Sequence, residues 1–305
     1  MLTTESLPSR QPVSKRRSTF GDDPIGYALI TPFYLFLAVF VLFPILVNGY
    51  LSFTDYNFKS MSFIGFSNYN RLFHDSFFLI SIRNTFVYAF FTLIFTLALG
   101  LIFAQLLNRK LRGLNGFRTS LFMPHVTSMV AVSMVWLWMY EPSHGTLNQL
   151  LDDLGLAKID WLFDVKYALM SVIAMSVWKY LGYNMVIFLA GLQGIPRDLY
   201  EAASVDGAGA LRQFRSITIP MLKPVTFFLV ITGLINNFNA FEQIQILTNG
   251  GPMNSTTTIV HQIYNRAFNE FQLGYAASMA IVLLVIIAFI TLINFRYGNQ
   301  SYDAS

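Results

Sequence analysis

The sequence has no cysteine and few charged residues along its 305 positions. Without cysteine the chain can form no disulfide, thiolate nucleophile or Cys-ligated metal site, and we predict no metal site. Charged residues make up 12% of the chain, about half of the roughly 25% that is usual in soluble domains. The sequence also lacks the phosphate-binding pattern G-x-x-x-x-G-K-[ST]. Nothing in it brings together a nucleophile, a base and an oxyanion site. We therefore expect a non-catalytic chain with no catalytic residues.

Apolar residues are abundant, since hydrophobic types make up 54% of the chain and phenylalanine alone occurs 30 times. Six apolar stretches reach the roughly 20 residues that a helix needs to cross a bilayer. They are Tyr27–Tyr50, Asn84–Leu107, Ser120–Tyr140, Tyr167–Ala190, Val225–Leu247 and Gly274–Phe295. Backbone groups in lipid must be hydrogen-bonded within their own segment, so each stretch is predicted to be helical. The predicted fold is an all-α, polytopic transmembrane bundle of six spanning helices.

The distribution of Lys and Arg predicts the orientation, because these residues concentrate in cytoplasmic segments. With a cytoplasmic N-terminus, the inner segments hold Arg10, Lys15, Arg16, Arg17, Arg109, Lys110, Arg112, Arg118, Arg197, Arg212, Arg215, Lys223 and Arg296. The outer segments hold Lys59, Arg71, Arg83, Lys158, Lys166 and Arg266. We predict a bacterial or archaeal inner-membrane protein with both termini cytoplasmic. Residues 1–26 form a basic tail, 27–296 the membrane domain and 297–305 a second tail. Topology and lipid contact account for the basic charge, so no nucleic-acid partner is expected.

The inner segment between the fourth and fifth stretches has a helix–turn–helix pattern. Pro196 suits the first turn of a helix, and good helix formers follow over Arg197–Val205. Asp206-Gly207 predicts a break, and a second helix is predicted over Ala208–Ile219, ended by Pro220. About ten residues rise only roughly 15 Å, so neither helix can span a bilayer. The segment is predicted to lie at the cytoplasmic surface.

This segment resembles the EAA loop of ABC importer permeases, over residues 194–223. The matching loop positions, which the resemblance assigns to ATPase coupling, are Glu201, Ala202, Ala203, Asp206, Gly207, Ala208 and Phe214. The carbohydrate-uptake (maltose-type) branch is similar also at Leu247-Thr248-Asn249-Gly250-Gly251-Pro252 and at Gly274-Tyr275-Ala276-Ala277. The resemblance implies a cytoplasmic coupling helix that fits a groove of an ATPase subunit. A solvated surface hairpin without a partner is the alternative for the loop.

The resemblance also implies the partners. The chain would form half of a sugar or oligosaccharide pore with a second homologous permease subunit, in contact with membrane lipid. Two ATP-binding subunits would bind ATP and Mg, so this chain itself would bind no cofactor, and an extracytoplasmic solute-binding protein would deliver the sugar. One alternative function is an ATP-independent secondary transporter, against which the lack of a carboxylate relay in the spans argues. Another is an ABC permease for a glycerol-phosphate-like substrate.

Polar residues within the apolar stretches are candidates for the substrate path, because such residues usually face a bundle interior or an aqueous cavity. Thr232, Asn236, Asn239 and Gln243 follow one another at spacings of 4, 3 and 4, which predicts one face of the fifth helix. The aromatic residues Phe238 and Phe241 flank this stripe. Amides beside aromatic rings suit a neutral, polyhydroxylated ligand. Hydrogen bonds between helices are the structural alternative for the same residues.

The fourth stretch adds further candidates, Tyr180, Tyr183 and Asn184, and the only charges within the stretches are Lys179 and Glu242. The two charges differ in predicted depth, which disfavours a direct ion pair; each could instead pair with the partner half of the pore or be satisfied locally. If Lys179 faced the path, it could contact a phosphate, which keeps the glycerol-phosphate alternative open. His125 follows a proline and receives no chemical role.

Overall fold

The computed structural model describes residues 24–108 and 113–299. The chain divides into two units, residues 1–47 and 48–305. Helices α1 (Pro24–Leu37) and α2 (Phe43–Leu51) are joined by a π-helical turn, and the apolar part Gly26–Leu51 is long enough to cross a membrane. This agrees with the first predicted span. Most of the two predicted tails, together with Arg109, Lys110 and Arg112 of the charge count, lies outside the described residues.

The second unit is helical, and its described residues contain no strand beyond a single antiparallel bridge between Thr54 and Phe63. Its helices up to the middle of the chain are α3 (Ser67–His74), α4 (Ser76–Leu107), α5 (Leu114–Val126), α6 (Met129–Met139), α7 (Thr146–Asp153) and α8 (Ala168–Gln193). The later ones are α9 (Arg197–Val205), α10 (Ala210–Gln213), α11 (Ile219–Met221), α12 (Lys223–Phe238), α13 (Glu242–Leu247), α14 (Ile259–Tyr264) and α15 (Leu273–Asn299). π-Helical turns follow α10 (Phe214–Thr218) and α14 (Asn265–Asn269). The prediction of an all-α fold is confirmed.

Four unbroken helical segments could cross a membrane, and two bent helix pairs raise the number to six if each pair is one span. The count agrees with the six predicted spanning helices if each bent pair is one span, but two of the predicted stretches are broken helices. The third, Ser120–Tyr140, contains a bend of 101° between α5 and α6. The fifth, Val225–Leu247, is divided after Phe238, and its first part meets the preceding helical segment at 61°.

The bend between α5 and α6 has a local cause in Pro124. A proline inside a helix lacks the N–H donor and crowds the carbonyl one turn earlier. The helix ends two residues later at Val126, and Thr127 is extended, with ψ of 152°. The chain then starts α6 in a new direction. This bend leaves carbonyl groups at the end of α5 that need other donors.

Helix α4 begins eight residues earlier than the predicted span, which started at Asn84. Asp75 is its N-cap, and the carboxylate accepts hydrogen bonds from the N–H groups of Phe77 and Phe78, at 2.9 and 3.4 Å. An N-cap of this kind satisfies donors that the first turn leaves free. The helix therefore extends into residues 76–83, which the sequence prediction had assigned to the outer loop.

Helices α4 and α8 pack along each other and carry much of the core of the second unit. A Cβ on Gly100 would lie 2.8 Å from the Cβ of Asn184, so only glycine permits this approach. Ala104 on α4 packs in one cluster with Met185 and Phe188 of α8. Small residues at such crossings let helix backbones approach closely in a membrane. The crossing places the polar residues of both helices beside one another.

Candidate functional site

The predicted coupling loop begins with a helix, α9, whose bounds agree with the prediction. It ends in a Schellman motif, in which the N–H of Gly207 bonds to Ser204 at 3.1 Å and the N–H of Ala208 bonds to Ala203 at 2.8 Å. Gly207 has a φ of +76°, a conformation that side-chain-bearing residues rarely adopt. The predicted break at this glycine is confirmed.

The second arm of the loop differs from the prediction. The segment Ala210–Met221 is helical, with a π-helical turn in its middle, and Pro220 lies inside it instead of ending it. The arm starts at Ala210. Pro220 has no N–H to donate, and it is tolerated because it lies in the first turn of the short helix α11, where that donor is not required. The arm ends at Met221, one residue after Pro220, and the chain bends before α12 begins at Lys223.

Two side-chain contacts brace the arms of the loop against each other. The hydroxyl groups of Tyr200 and Thr218 lie 2.8 Å apart, and Gln213 donates to Ser204 at 2.9 Å. These contacts connect the two arms of the loop, so the arms can move together as one rigid body.

The tip of the loop is exposed. The predicted coupling residues Glu201, Ala202, Asp206 and Gly207 are exposed, whereas Ala203, Ala208 and Phe214 are partly buried. Val205 and Leu211, which the prediction did not include, are 88% and 70% exposed. Two exposed apolar side chains beside an exposed carboxylate form a surface suited to a protein partner.

A polar cavity of about 210 Å³ lies between helices α4, α5, α8 and α12. Its lining is mostly hydroxyl, amide and aromatic groups. The lining residues are Thr92, Leu93, Thr96, His125, Tyr180, Tyr183, Asn184, Leu229, Thr232, Gly233, Asn236 and Asn237. None of these described residues carries a carboxylate, an ammonium or a guanidinium group.

The cavity contains several of the predicted path residues. Tyr180, Tyr183 and Asn184 come from α8, and Thr232 and Asn236 come from α12. The two helices meet here because α4 packs against both of them. The structure thus brings together candidates that the sequence had placed on separate helices.

The predicted four-residue stripe on the fifth helix is wrong as a continuous face. Helix α12 ends at Phe238, Asn239 is its C-cap, and a new helix begins at Glu242. Asn239 is exposed outside the cavity lining, and its amide bonds to the carbonyl of Ile235 at 2.8 Å. Gln243 is buried and donates to the hydroxyl of Tyr88 at 2.7 Å. Its observed contact is therefore the interhelical hydrogen bond that was the structural alternative.

The two aromatic residues of the stripe are also outside the cavity lining. Phe238 is 2% exposed and meets Phe86 edge-to-face, with ring centroids 5.1 Å apart. Phe241 packs against Tyr264 at 5.0 Å. Glu242 is exposed at the start of α13. These residues belong to the core or the surface of this unit in the conformation described.

Lys179 does not face the cavity either. Its side chain is buried, and Nζ donates to the carbonyl oxygens of Pro124 at 3.0 Å and Thr127 at 2.6 Å. These are the carbonyl groups that the bend after α5 leaves free, and a cation is favourable at a helix C-terminus. Among the described residues Lys179 makes no ion pair with Glu242. The local explanation of this charge is the one that the contacts support.

The sequence prediction missed several lining residues. Thr92 and Thr96 are one helical turn apart on α4, a spacing that could have indicated a polar patch within an apolar run. His125 stacks on Tyr183, with ring centroids 4.7 Å apart. Within the described part of the chain, His125 Nδ1 and Thr92 Oγ1 are buried without a hydrogen-bond partner. Buried polar atoms normally have partners, so these two atoms can receive a polar ligand.

A separate charged cluster joins α4 to the last part of the chain. Asp75 accepts hydrogen bonds from Tyr275 at 2.8 Å and from Arg266 at 3.1 Å. Burial alone would raise the pKa of the Asp75 carboxyl. The hydrogen bond from Tyr275, the charge of Arg266 and the two N-cap bonds outweigh burial, so the pKa is lower than usual. The cluster therefore holds an ionised carboxylate between two helices.

No group of three or more His, Asp or Glu residues with metal-binding geometry occurs in the described ranges. The arrangement found here is instead a polar, uncharged cavity between membrane helices, with a braced and exposed loop on the same chain. Such a cavity can accept a polar molecule, because the described residues that line it offer hydroxyl and amide groups.

Comparison with known proteins gives consistent results. The family described as "binding-protein-dependent transport system inner membrane component" matches residues 96–299. A probable ABC transporter permease protein of Pyrococcus horikoshii is 36% identical, over 91% of this chain and 96% of that protein. An sn-glycerol-3-phosphate transport system permease protein of Agrobacterium fabrum is 34% identical, over 92% of this chain and 97% of that protein.

Solved structures show the same fold. The crystal structure of a bacterial ABC transporter involved in the import of the acidic polysaccharide alginate has a TM-score of 0.80 at 24% identity, covering 90% of this chain and 95% of that one. The alginate ABC transporter in complex with its alginate pentasaccharide-bound periplasmic protein has a TM-score of 0.78 at 25% identity, covering 88% and 92%. The resemblance that the loop predicted is confirmed. The chain belongs to the family of inner-membrane components of binding-protein-dependent transport systems, as the permease subunit of an ABC importer.

Proposed function

We propose that this chain forms half of the membrane pore of an ATP-driven importer for a neutral sugar or short oligosaccharide. The observation that carries the proposal is the cavity between α4, α5, α8 and α12, whose lining is polar but uncharged. Hydroxyl and amide groups can exchange hydrogen bonds with sugar hydroxyls, and the rings of Tyr180 and Tyr183 offer apolar faces to the sugar ring.

The charge of the cavity favours a neutral substrate over an anionic one. The named relatives include permeases for sn-glycerol-3-phosphate, and a structural neighbour imports an acidic polysaccharide. A buried anion needs a cation or several charge-assisted hydrogen bonds. Lys179 is the cation nearest in sequence to the lining, and its ammonium group is bonded to backbone carbonyls of α5 and the following turn. The glycerol-phosphate alternative therefore has less support than a neutral sugar.

The energy would reach the pore through the loop α9–α11. Glu201, Ala202, Ala203, Asp206, Gly207, Ala208 and Phe214 would contact a cytoplasmic ATPase subunit, with exposed Val205 and Leu211 as apolar anchors. In this assembly two such subunits bind ATP and Mg, a second permease completes the pore, and an extracytoplasmic solute-binding protein delivers the sugar. Both termini of this chain would lie in the cytoplasm.

Transport of labelled solutes into proteoliposomes that contain the complete transporter tests the substrate class. Neutral monosaccharides and disaccharides are compared with sn-glycerol-3-phosphate. Asn236→Leu removes an amide from the cavity lining and should lower uptake of the neutral sugar about tenfold, which corresponds to about 1.4 kcal/mol. Asn239→Leu changes an amide outside the lining and serves as the matched control. Uptake of sn-glycerol-3-phosphate alone, or equal effects of both variants, would contradict the proposed path.

The coupling role is tested separately. Glu201→Lys should abolish uptake and substrate-stimulated ATP hydrolysis while the chain still inserts into the membrane, because it reverses a charge on the exposed partner surface. Asp153→Lys makes the same charge change on α7, which is exposed and outside the loop, and should retain activity. Normal uptake by well-expressed Glu201→Lys protein would show that the loop does not couple.

A further inference from the structure

A second cavity, of about 620 Å³, lies beside the base of the coupling loop. The ends of α4 and α8 and the starts of α5 and α9 surround it. Its lining residues are Gln105, Asn108, Arg118, Leu192, Gln193, Ile195, Arg197 and Tyr200. The Lys and Arg distribution predicts that this side of the membrane is cytoplasmic. The cavity is separate from the proposed sugar path, with which it shares no lining residue.

The lining carries two guanidinium groups and no carboxylate among its described residues. Arg118 uses one nitrogen to donate to the carbonyl of Leu107 at 2.7 Å, at the end of α4. Its Nε is buried and has no partner within the described part of the chain. Arg197 is exposed at the rim. Arginine presents several donors in a planar fork that fits phosphate oxygens, so this pair favours a phosphate-bearing anion.

The start of α9 adds to the same preference. Arg197 is its first residue, and no described side chain caps the helix at Pro196. The N–H groups of a first helical turn carry partial positive charge and favour anions. Asp198, an acidic residue in the same turn, is not part of the cavity lining. The helix start, the two arginines and the three amides therefore offer donors to one volume.

Exposed apolar side chains on the two helices that meet at the cavity suit a ligand that is part of an amphipathic molecule. Leu106, next to Gln105 on α4, is 52% exposed, and Phe117, next to Arg118 on α5, is 66% exposed. We propose that this cavity binds the phosphate-bearing headgroup of an anionic phospholipid, whose acyl chains lie along these exposed residues. Basic pockets between membrane helices on the cytoplasmic side are suited to such headgroups.

A lipid in this place would contact the coupling loop. Tyr200 lines the cavity and also contacts Thr218 on the second arm of the loop. The bound headgroup would therefore support α9 at its base, while the tip of the loop remains free for the ATPase subunit. The proposal concerns binding, and it holds whichever solute the transporter carries.

Native mass spectrometry of the transporter, copurified through this full-length chain, tests the proposal. The probes are dioctanoyl-phosphatidylglycerol, dioctanoyl-phosphatidylcholine and inorganic phosphate. We expect saturable binding of the phosphatidylglycerol, weakened about tenfold by Arg197→Gln, since this variant removes a charged hydrogen-bond donor. Arg118→Gln should weaken it similarly. Arg296→Gln removes an exposed arginine near the end of α15 and should leave binding unchanged.

The outcomes separate the sources of phosphate. Equal retention of phosphatidylglycerol and phosphatidylcholine, or wild-type binding by Arg197→Gln, would overturn the proposed site. Full displacement of the lipid by inorganic phosphate would overturn the lipid assignment in favour of a soluble phosphate. Arg118→Gln also removes a cap from α4, so its thermal unfolding midpoint is measured alongside. The exposed Arg197→Gln variant keeps the test decisive if Arg118→Gln fails to fold.

Discussion

Lys179→Met is expected to destabilise the protein without changing its substrate preference. Lys179 is 4% exposed, and its ammonium group donates to two carbonyl oxygens at the bend after α5. The carbonyl oxygen of Pro124 keeps a second donor, the hydroxyl of Thr127, at 2.7 Å. The variant therefore removes one of the two donors of the Pro124 carbonyl and the described donor of the Thr127 carbonyl.

The magnitude follows from these contacts. Each hydrogen bond from the ammonium group contributes about 1.5–3 kcal/mol, and the carbonyl of the exposed residue Thr127 can bind water in the variant, which recovers part of this. Removing the buried ammonium also removes its desolvation penalty, which offsets part of the loss. We expect a net loss of about 2 kcal/mol in the free energy of unfolding. Lys179→Gln keeps one donor group and should lose about half as much.

Unfolding of the purified protein in mixed micelles, titrated with sodium dodecyl sulfate, measures this loss. Lys166→Met, which removes an exposed lysine before α8, is the matched control and should behave as the wild type. The KM for the transported sugar should remain within about twofold for folded Lys179→Met protein, because the residue does not line the cavity. Wild-type stability combined with a large change in KM would refute the reasoning and place Lys179 in the substrate path.

Two further predictions concern packing and pH. Gly182→Ala should destabilise the protein by about 1–3 kcal/mol or prevent folding, because a Cβ there would overlap the carbonyl oxygen of Leu121, whereas Gly116→Ala has open space and should be neutral or slightly stabilising. Unfolding titrations of both variants check this, and equal stability would contradict the close approach of α5 and α8. The lowered pKa of Asp75 means that its contribution is fully present above the unfolded pKa of about 4 and is lost as pH falls through the folded pKa. The free energy of unfolding of Asp75→Asn should therefore fall less than that of the wild type as the pH is lowered below about 4. The same pH dependence of unfolding in both proteins would show that the pair with Arg266 contributes nothing.

The first arm of the loop, α9, could be predicted from the sequence because its determinants are local. The helix formers over Arg197–Val205 and the glycine at position 207 specify α9 and its Schellman end within a dozen residues. The position of Pro220 was predicted wrongly. Proline disfavours a helix interior but suits the first turn of a helix. Here the chain begins the new helix α11 after the π-helical turn, so Pro220 lies in a first turn and does not end the arm.

The substrate path could be predicted only in part. The stripe from Thr232 to Gln243 assumed one continuous helix, and no proline or glycine lies at the break between Phe238 and Glu242 to indicate it. Contacts from distant segments replace the helical bonds there: Thr258 donates to the carbonyl of Ala240 at 2.8 Å, and Asn237 donates to Ala89 on α4 at 3.3 Å. Such partners lie far away in the sequence, so periodicity could not reveal them.

The sequence by itself determined that this chain is an all-α membrane protein, and it carries a loop that resembles the EAA loop of ABC importer permeases. Hydropathy, helix propensity and turn chemistry are properties of neighbouring residues, and they suffice for those conclusions. Only the tertiary structure decided which polar residues share a cavity and that Lys179 caps a bent helix. Those outcomes depend on how α4, α5, α8 and α12 pack, because hydrogen-bond partners in a membrane bundle come from other helices.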